Sequence, residues 1–241
     1  MTKSIKPQVD PEKIPADVLE SFTKQFNFMR SANEKNVYEE TSLGTIELGN
    51  FITMGFEKPF VDLLITSPPY VTSYEYADLH QLSTLWLDYV KDYRDLRSGT
   101  IGSVYHLDEH DISVEQVIKP GKELVESLQQ VDQHKAKAVA KYYLDMQNIV
   151  NKCYSIVKQN GMILFVIGDT EYKKVKILNS EHLLAALTQA GFVDLVKMKR
   201  KVSGKNLTPY RDQKGRFTTD KKQKNIYSEE YVITGRKPSE H

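Results

Sequence analysis

The run Val61-Asp62-Leu63-Leu64-Ile65-Thr66 stops at Ser67-Pro68-Pro69-Tyr70, and no other stretch constrains the fold as strongly. Leu63, Leu64 and Ile65 show no polar alternation, the pattern of a strand covered on both faces of a sheet. Neither proline donates a backbone hydrogen, and each drives the residue before it into an extended conformation, so the strand must end in a stiff turn. In open α/β sheets ligands collect outside the carboxyl ends of the strands. This corner would lie there, offering a hydroxyl, outward carbonyls and an aromatic ring.

A second apolar run, Gly161 to Asp169, again closes in a polar turn and predicts another buried strand. Phe192 to Val202 and Tyr227 to Lys237 read as two further strands, and Thr45 to Leu48 as a short one. Helical spacing places an amphipathic helix over about 15–33, with Val18, Leu19, Phe22, Phe26 and Met29 as a stripe suited to core or subunit contact. A long helical region over 112–159, interrupted near Pro120-Gly121, carries Val139, Tyr143, Met146, Val150 and Cys153 on one face. Ser180 is expected to cap a helix that ends at Gly191. Residues 1–43 form a tail and helix, and 44–241 form one α/β body with a helical insertion over about 72–159.

The spelling Thr66-Ser67-Pro68-Pro69-Tyr70 resembles the catalytic motif of the amino-methyltransferases, closest to their N4-cytosine branch. These enzymes move a methyl group from S-adenosylmethionine to the exocyclic amine of cytosine or adenine. The resemblance implies that Ser67 Oγ and the Pro68 carbonyl hold the amine, with Pro69 stiffening the turn. Tyr70 would stack on the base once it is flipped out of the duplex. Since the amine attacks the methyl group directly, no covalent enzyme intermediate is needed and Cys153 need not act. By the same resemblance Gly49-Asn50 and Asp169, with Ser67, would approach the donor, with Asn standing where the family has Asp. The tyrosine-rich stretch after the motif, which leads to Trp86-Leu87, resembles the corresponding segment of a bacterial subset. Tyr74 and Tyr76 would line the base pocket or touch the strand. Arg97 is a candidate phosphate contact, whereas Trp86, Leu82, Leu85 and Tyr89 are expected in the core and His80 as an ordinary helix residue.

Charge is distributed unevenly. The chain carries a formal net charge of +1, yet Lys197 to Lys224 holds eleven basic residues against Asp212 and Asp220. Within this band, the loop over 203–225 interleaves Arg211, Lys214, Arg216, Lys221, Lys222 and Lys224 with Tyr210 and Phe217. Such a loop suits the phosphate backbone of double-stranded DNA. One cysteine excludes an internal disulfide and any Cys-rich zinc site, and no metal is expected. Met1 to Asp10 has no apolar core and no run approaches a membrane span, so the expected compartment is the cytoplasm.

No two of the twelve glycines are separated by a single residue. The family holds its donor on a Gly-rich turn after the first strand, and that strand neighbours the catalytic one. What the resemblance then implies is a catalytic half, a partial Rossmann-like sheet whose apolar edge at 61–66 needs a neighbour. A second polypeptide is expected to supply the missing strands, the glycines and a ribose-binding acid, as one part of a split enzyme from a restriction–modification or related system. The alternatives are an RNA or protein amino-methyltransferase, or a non-catalytic DNA-binding subunit.

Overall fold

The computed structural model describes residues 17–35, 44–71, 76–104, 112–202, 210–211, 217–218, 220, 224–225 and 229–239. It divides into two compact units, residues 1–48 and 49–241. In the first, helix α1 (Val18–Lys35) has no buried residue, and Val18, Leu19, Phe22, Phe26 and Met29 all face solvent. The stripe is therefore not a core within its own unit. Residues 45–48 form no strand, contrary to expectation, because among the described residues no second segment pairs with them.

The second unit is a mixed α/β body. Its four-stranded sheet is built from β1 (Val61–Thr66), β2 (Val157–Ile167), β5 (Val193–Lys201) and β9 (Glu229–Arg236), in the order β1-β2-β9-β5. β1 and β2 run parallel, and β9 is antiparallel to both β2 and β5. Helices α3 (Gly121–Gln129), α4 (Gln133–Ile156) and α5 (Asn179–Ala190) complete the core with the face of the sheet that carries Ile163, Phe165, Ile167 and Ile233. A hairpin of β3 (Thr170–Tyr172) and β4 (Val175–Ile177) joins β2 to α5.

Local chemistry explains the joints. Helix α4 begins where Asp132 accepts from the Lys135 amide at 3.0 Å, and the same carboxylate accepts from Tyr172 Oη and Lys173 Nζ. The Tyr154 carbonyl in its last turn and that of Val157 just after it accept from Lys237 Nζ, a cation where the helix dipole favours one. Gly191 ends α5 at φ 99°, a conformation that strains a side-chain-bearing residue. The 49–60 segment is held to α4 by Lys152, whose ammonium donates to the Ile52 carbonyl and sits over the Phe51 and Phe56 rings.

Four expectations change. β1 is not covered on both faces: it is an edge strand, and Leu63 and Ile65 are 55% and 65% exposed. Trp86, at 89% exposure, lies outside the core with Leu82 and Leu85, because among the described residues no layer packs on the face of α2 (Tyr76–Trp86) that carries them, and Tyr89 just beyond the helix is exposed as well. The helical region is interrupted ahead of Gly121, as expected, with Pro120 at the start of α3 where its missing N–H costs nothing, and it breaks a second time, unexpectedly, at Gln130–Asp132. Ser180 is not the cap of α5. It lies inside the first turn, and its amide and hydroxyl both donate to Asp169 from outside the helix, at 2.9 and 3.2 Å.

The expected loop over 203–225 contains a small sheet of β6 (Tyr210–Arg211), β7 (Phe217–Thr218) and β8 (Lys224–Asn225), ordered β7-β6-β8. Among the described residues, no helix is long and apolar enough to cross a membrane.

Candidate active site

The carboxyl ends of β1 and β2 meet at Ser67–Tyr70. Pro68 is buried, Ser67 is exposed, and Pro69 and Tyr70 are half-buried, so the turn is rooted in the protein with its hydroxyl at the surface. Three hydrogen bonds anchor it to the body. Ser67 Oγ donates to the Val166 carbonyl at 3.1 Å, Tyr142 Oη donates to the Pro69 carbonyl at 2.8 Å, and Thr170 Oγ1 donates to the Val71 carbonyl at 3.0 Å. Each bond ties the turn to β2, α4 or β3, so the corner has little freedom to relax.

The first of these bonds fixes what Ser67 can offer. A hydroxyl has one hydrogen and two lone pairs. The carbonyl of Val166 only accepts, so in this bond Ser67 Oγ is the donor and its lone pairs are left to accept, with the Tyr70 hydroxyl as a neighbour. Tyr70 is held just as firmly. A Cβ at Gly168 would stand 2.7 Å from a Tyr70 ring carbon, so only glycine lets the ring lie over the end of β2. The Tyr70 hydroxyl donates to Glu230 Oε1 at 3.2 Å, and Glu230 Oε2 accepts from Arg200 Nη2 at 2.7 Å. Burial raises the Tyr70 phenol pKa, the neighbouring Ser67 hydroxyl opposes this, and the Glu230 charge adds to it. The ring is accordingly a neutral stacking surface.

The other expected residues lie elsewhere or have local partners. Asp169 follows β2 with its carboxylate engaged by Ser180, and the Asn179 amide donates to the Gly168 carbonyl beside it. Gly49 packs against Met54, and Asn50 closes a turn through the Ile52 amide while donating to the Gly99 carbonyl at 3.3 Å. Arg97 forms an ion pair with Asp78 and lies 5.9 Å from the Tyr93 ring centroid. Tyr76 opens α2, while Arg211 and Lys224 lie in β6 and β8. Tyr74, Lys214, Arg216, Lys221 and Lys222 lie outside the described residues.

Sequence reasoning missed Tyr142, Gly168, Glu230 and Arg200 as parts of this corner. Tyr142 looked like one more member of an apolar stripe, and nothing in the sequence links it to a carbonyl 73 residues away. Glu230 lies just ahead of an apolar run, which is a usable signal, but its partner Tyr70 is 160 residues distant. Cys153 belongs to the core, with burial pushing its thiol pKa up to about 12. No group of three or more His, Cys, Asp or Glu among the described residues is placed to hold a metal.

No protein-family model and no curated relative match the chain. Among solved structures it is similar to the provisionally assigned DNA modification methylase TTHA0409 of Thermus thermophilus. Against that protein in complex with S-adenosyl-L-methionine the TM-score is 0.39 at 13% identity, covering 80% of this chain and 55% of the other. Against a second structure of the same protein the TM-score is 0.38 at 15% identity, covering 80% and 54%. This chain therefore spans about half the length of TTHA0409.

Proposed function

We infer that this chain carries the amine-gripping corner of an S-adenosylmethionine-dependent DNA methyltransferase, acting on the exocyclic amine of a flipped base and preferentially on cytosine N4. The observation that carries this reading is the bond from Ser67 Oγ to the Val166 carbonyl: with its hydrogen donated there, the hydroxyl of this exposed residue keeps lone pairs with which to accept. An exocyclic amine has two N–H donors and a lone pair delocalised into the ring. Acceptors at Ser67 Oγ and the Pro68 carbonyl would hold both hydrogens, turning the nitrogen lone pair out of conjugation. Tyr70, clamped between Gly168 and Glu230, would stack on the flipped base. Acceleration comes from positioning, without a covalent adduct.

S-adenosylmethionine supplies the methyl group when bound. Among the described residues, those expected to approach it are engaged elsewhere. There is no Gly-x-Gly, Asp169 is committed to the first turn of α5, and the Gly49–Asn50 turn is tied to Met54 and Gly99. The reading therefore includes a second polypeptide that holds most of the donor, leaving Ser67 at the near side. The basic band and Arg97 would follow the DNA backbone, consistent with a place in a restriction–modification or related system.

The test is mass spectrometry of nucleosides from DNA exposed to the co-purified complex. Cytosine methylated at N4 is expected, and is lost with Ser67→Ala. Methylated adenine would shift the base assignment. Unmodified DNA, or full activity in Ser67→Ala, would remove the reading.

A further inference from the structure

The link between β3 and β4 is the pair Lys173-Lys174, with φ of 45° and 70°. Positive φ at both central residues is the type I′ turn that suits the twist of a hairpin, and Asn-Gly or Asp-Gly fills it without strain. Lysine does not. Of the non-glycine residues at positive φ among those described, Asp88, Asn160 and Asp194 carry the short polar side chains that tolerate this backbone, and only Lys173 and Lys174 do not. Two like charges also stand side by side at the tip. Solubility alone would be served by lysine at any exposed position of ordinary backbone, so strain and repulsion together single out the tip as the place where charge is used.

The hairpin is fastened at its base and near its tip. At the base, Thr170 Oγ1 donates to the carbonyl of Val71, the residue after Tyr70, at 3.0 Å. Near the tip, Tyr172 Oη donates to Asp132 Oδ2 at 2.7 Å, and Lys173 Nζ donates to the same oxygen at 3.0 Å. Two ammonium groups lie against the Tyr172 ring, Lys135 Nζ at 5.1 Å and Lys173 Nζ at 5.3 Å from its centroid. Glu171 stands opposite Lys176 in the β3–β4 register, so that pair is balanced. Asp132 is then left as the one carboxylate answering Lys135, Lys173 and Lys174. Among the described residues no ion pair engages Lys174, which is exposed.

This positive excess stands beside the candidate active site. Glu171 and Tyr172 separate Thr170 from Lys173, so at about 3.4 Å per residue the tip is roughly 10 Å from Thr170. A flipped base stays joined to its own phosphodiester, and phosphates must therefore pass close to a corner that takes the base. The chain leading into the basic band leaves the sheet at the same end: Lys201, which ends β5, is in register with Glu229, and Ile167, which ends β2, is in register with Tyr231. The corner thus has the hairpin on its α4 side and the end of β5 on the other.

We propose that the β3–β4 hairpin is a phosphate-contacting element, whose Lys173 and Lys174 hold the DNA backbone beside the base presented to Ser67–Tyr70. It rests on the preceding reading for duplex DNA as the partner and for the corner as the place of the base. Contacts to phosphate carry no sequence information, so the hairpin sets position and affinity and leaves target choice to other parts of the enzyme.

The test measures binding of a DNA duplex across a range of salt concentrations, by the chain together with any polypeptide that co-purifies with it. Lys173→Asn combined with Lys174→Gly removes both charges while relaxing the turn, so the thermal midpoint should stay level or rise. Binding should weaken on the order of tenfold, and the plot of log K against log salt should flatten by about 1–2. Lys173→Arg with Lys174→Arg should keep the original slope, as should Lys158→Gln at the opposite end of β2. An unchanged slope in the first variant, or equal flattening by Lys158→Gln, overturns the proposal. So does a lower midpoint, which would assign the lysines to the fold, or a loss confined to duplex RNA. Nucleoside mass spectrometry separates this from the methyltransferase reading. A complex that needs these lysines to bind DNA but methylates none keeps the hairpin's role and removes the enzyme. One that methylates DNA, and whose salt slope is indifferent to the lysines, does the reverse.

Discussion

β1 and β2 are close in composition and opposite in circumstance. Leu63-Leu64-Ile65 is an unbroken apolar triplet and Met162 to Ile167 an unbroken apolar run of six, each leading to a polar turn. β2 lies between two neighbours under a helical layer, so Ile163, Phe165 and Ile167 are buried. Among the described residues β1 has one neighbour, and its Leu63 and Ile65 face solvent. An apolar strand encodes a requirement for cover, but not which part of which chain provides it. The contrast also separates the two duties of the corner. β2 and the Gly168 that follows it supply the fixed platform, and the turn after β1 carries the groups that would act in the proposed reading.

The largest expected effect comes from removing the better-covered side. Phe165→Ala in the isolated chain should lower unfolding free energy by about 3–5 kcal/mol in urea titrations. Equal losses from Phe165→Ala and Ile65→Ala would break the comparison.

The covered side also carries a titration. His182 stacks on Tyr143 at 3.9 Å between ring centroids, and its Nε2 hydrogen donates to the Tyr143 carbonyl, which leaves Nδ1 as a buried acceptor. Burial lowers its pKa from 6.5 to about 4, opposed by that hydrogen bond. Because the unfolded chain binds this proton more readily, the stabilisation is complete above pH 6.5 and declines as pH falls toward 4. The decline should reach on the order of 3 kcal/mol. His182→Gln should flatten the slope of stability over that window, and an unchanged slope would show that another group titrates.

At the corner, Tyr70→Ala in the complete complex should cost about 1–3 kcal/mol in kcat/KM, the scale of one lost base–aromatic stack. Normal kinetics would take the ring out of substrate binding. The smallest effect belongs to the open side: Ile65→Ala should stay within about 0.5 kcal/mol in the isolated chain. It should become costly only in the complex, measured as weakened association.

Much of the secondary structure was legible because its signals are local. Apolar runs ending in Pro-Pro or Gly-Asp marked β1 and β2, a three-to-four spacing marked α4, and Gly191 marked the end of α5. Where a residue's role depends on a distant partner, local signals failed. Ser180 looks like a cap until Asp169 arrives from the preceding turn. Trp86 looks like core until the surface of α2 that carries it proves to have no layer above it. Tyr70 gives no hint that its hydroxyl will meet Glu230.

The sequence by itself determined the stiff corner at Ser67–Tyr70, since proline geometry acts within two or three residues and needs no tertiary help. Only the folded sheet decided that Ser67 donates its hydrogen to Val166 and that one apolar face of β1 is bare. Both depend on strand order and register, set by contacts about a hundred residues apart, which short-range chemistry does not encode.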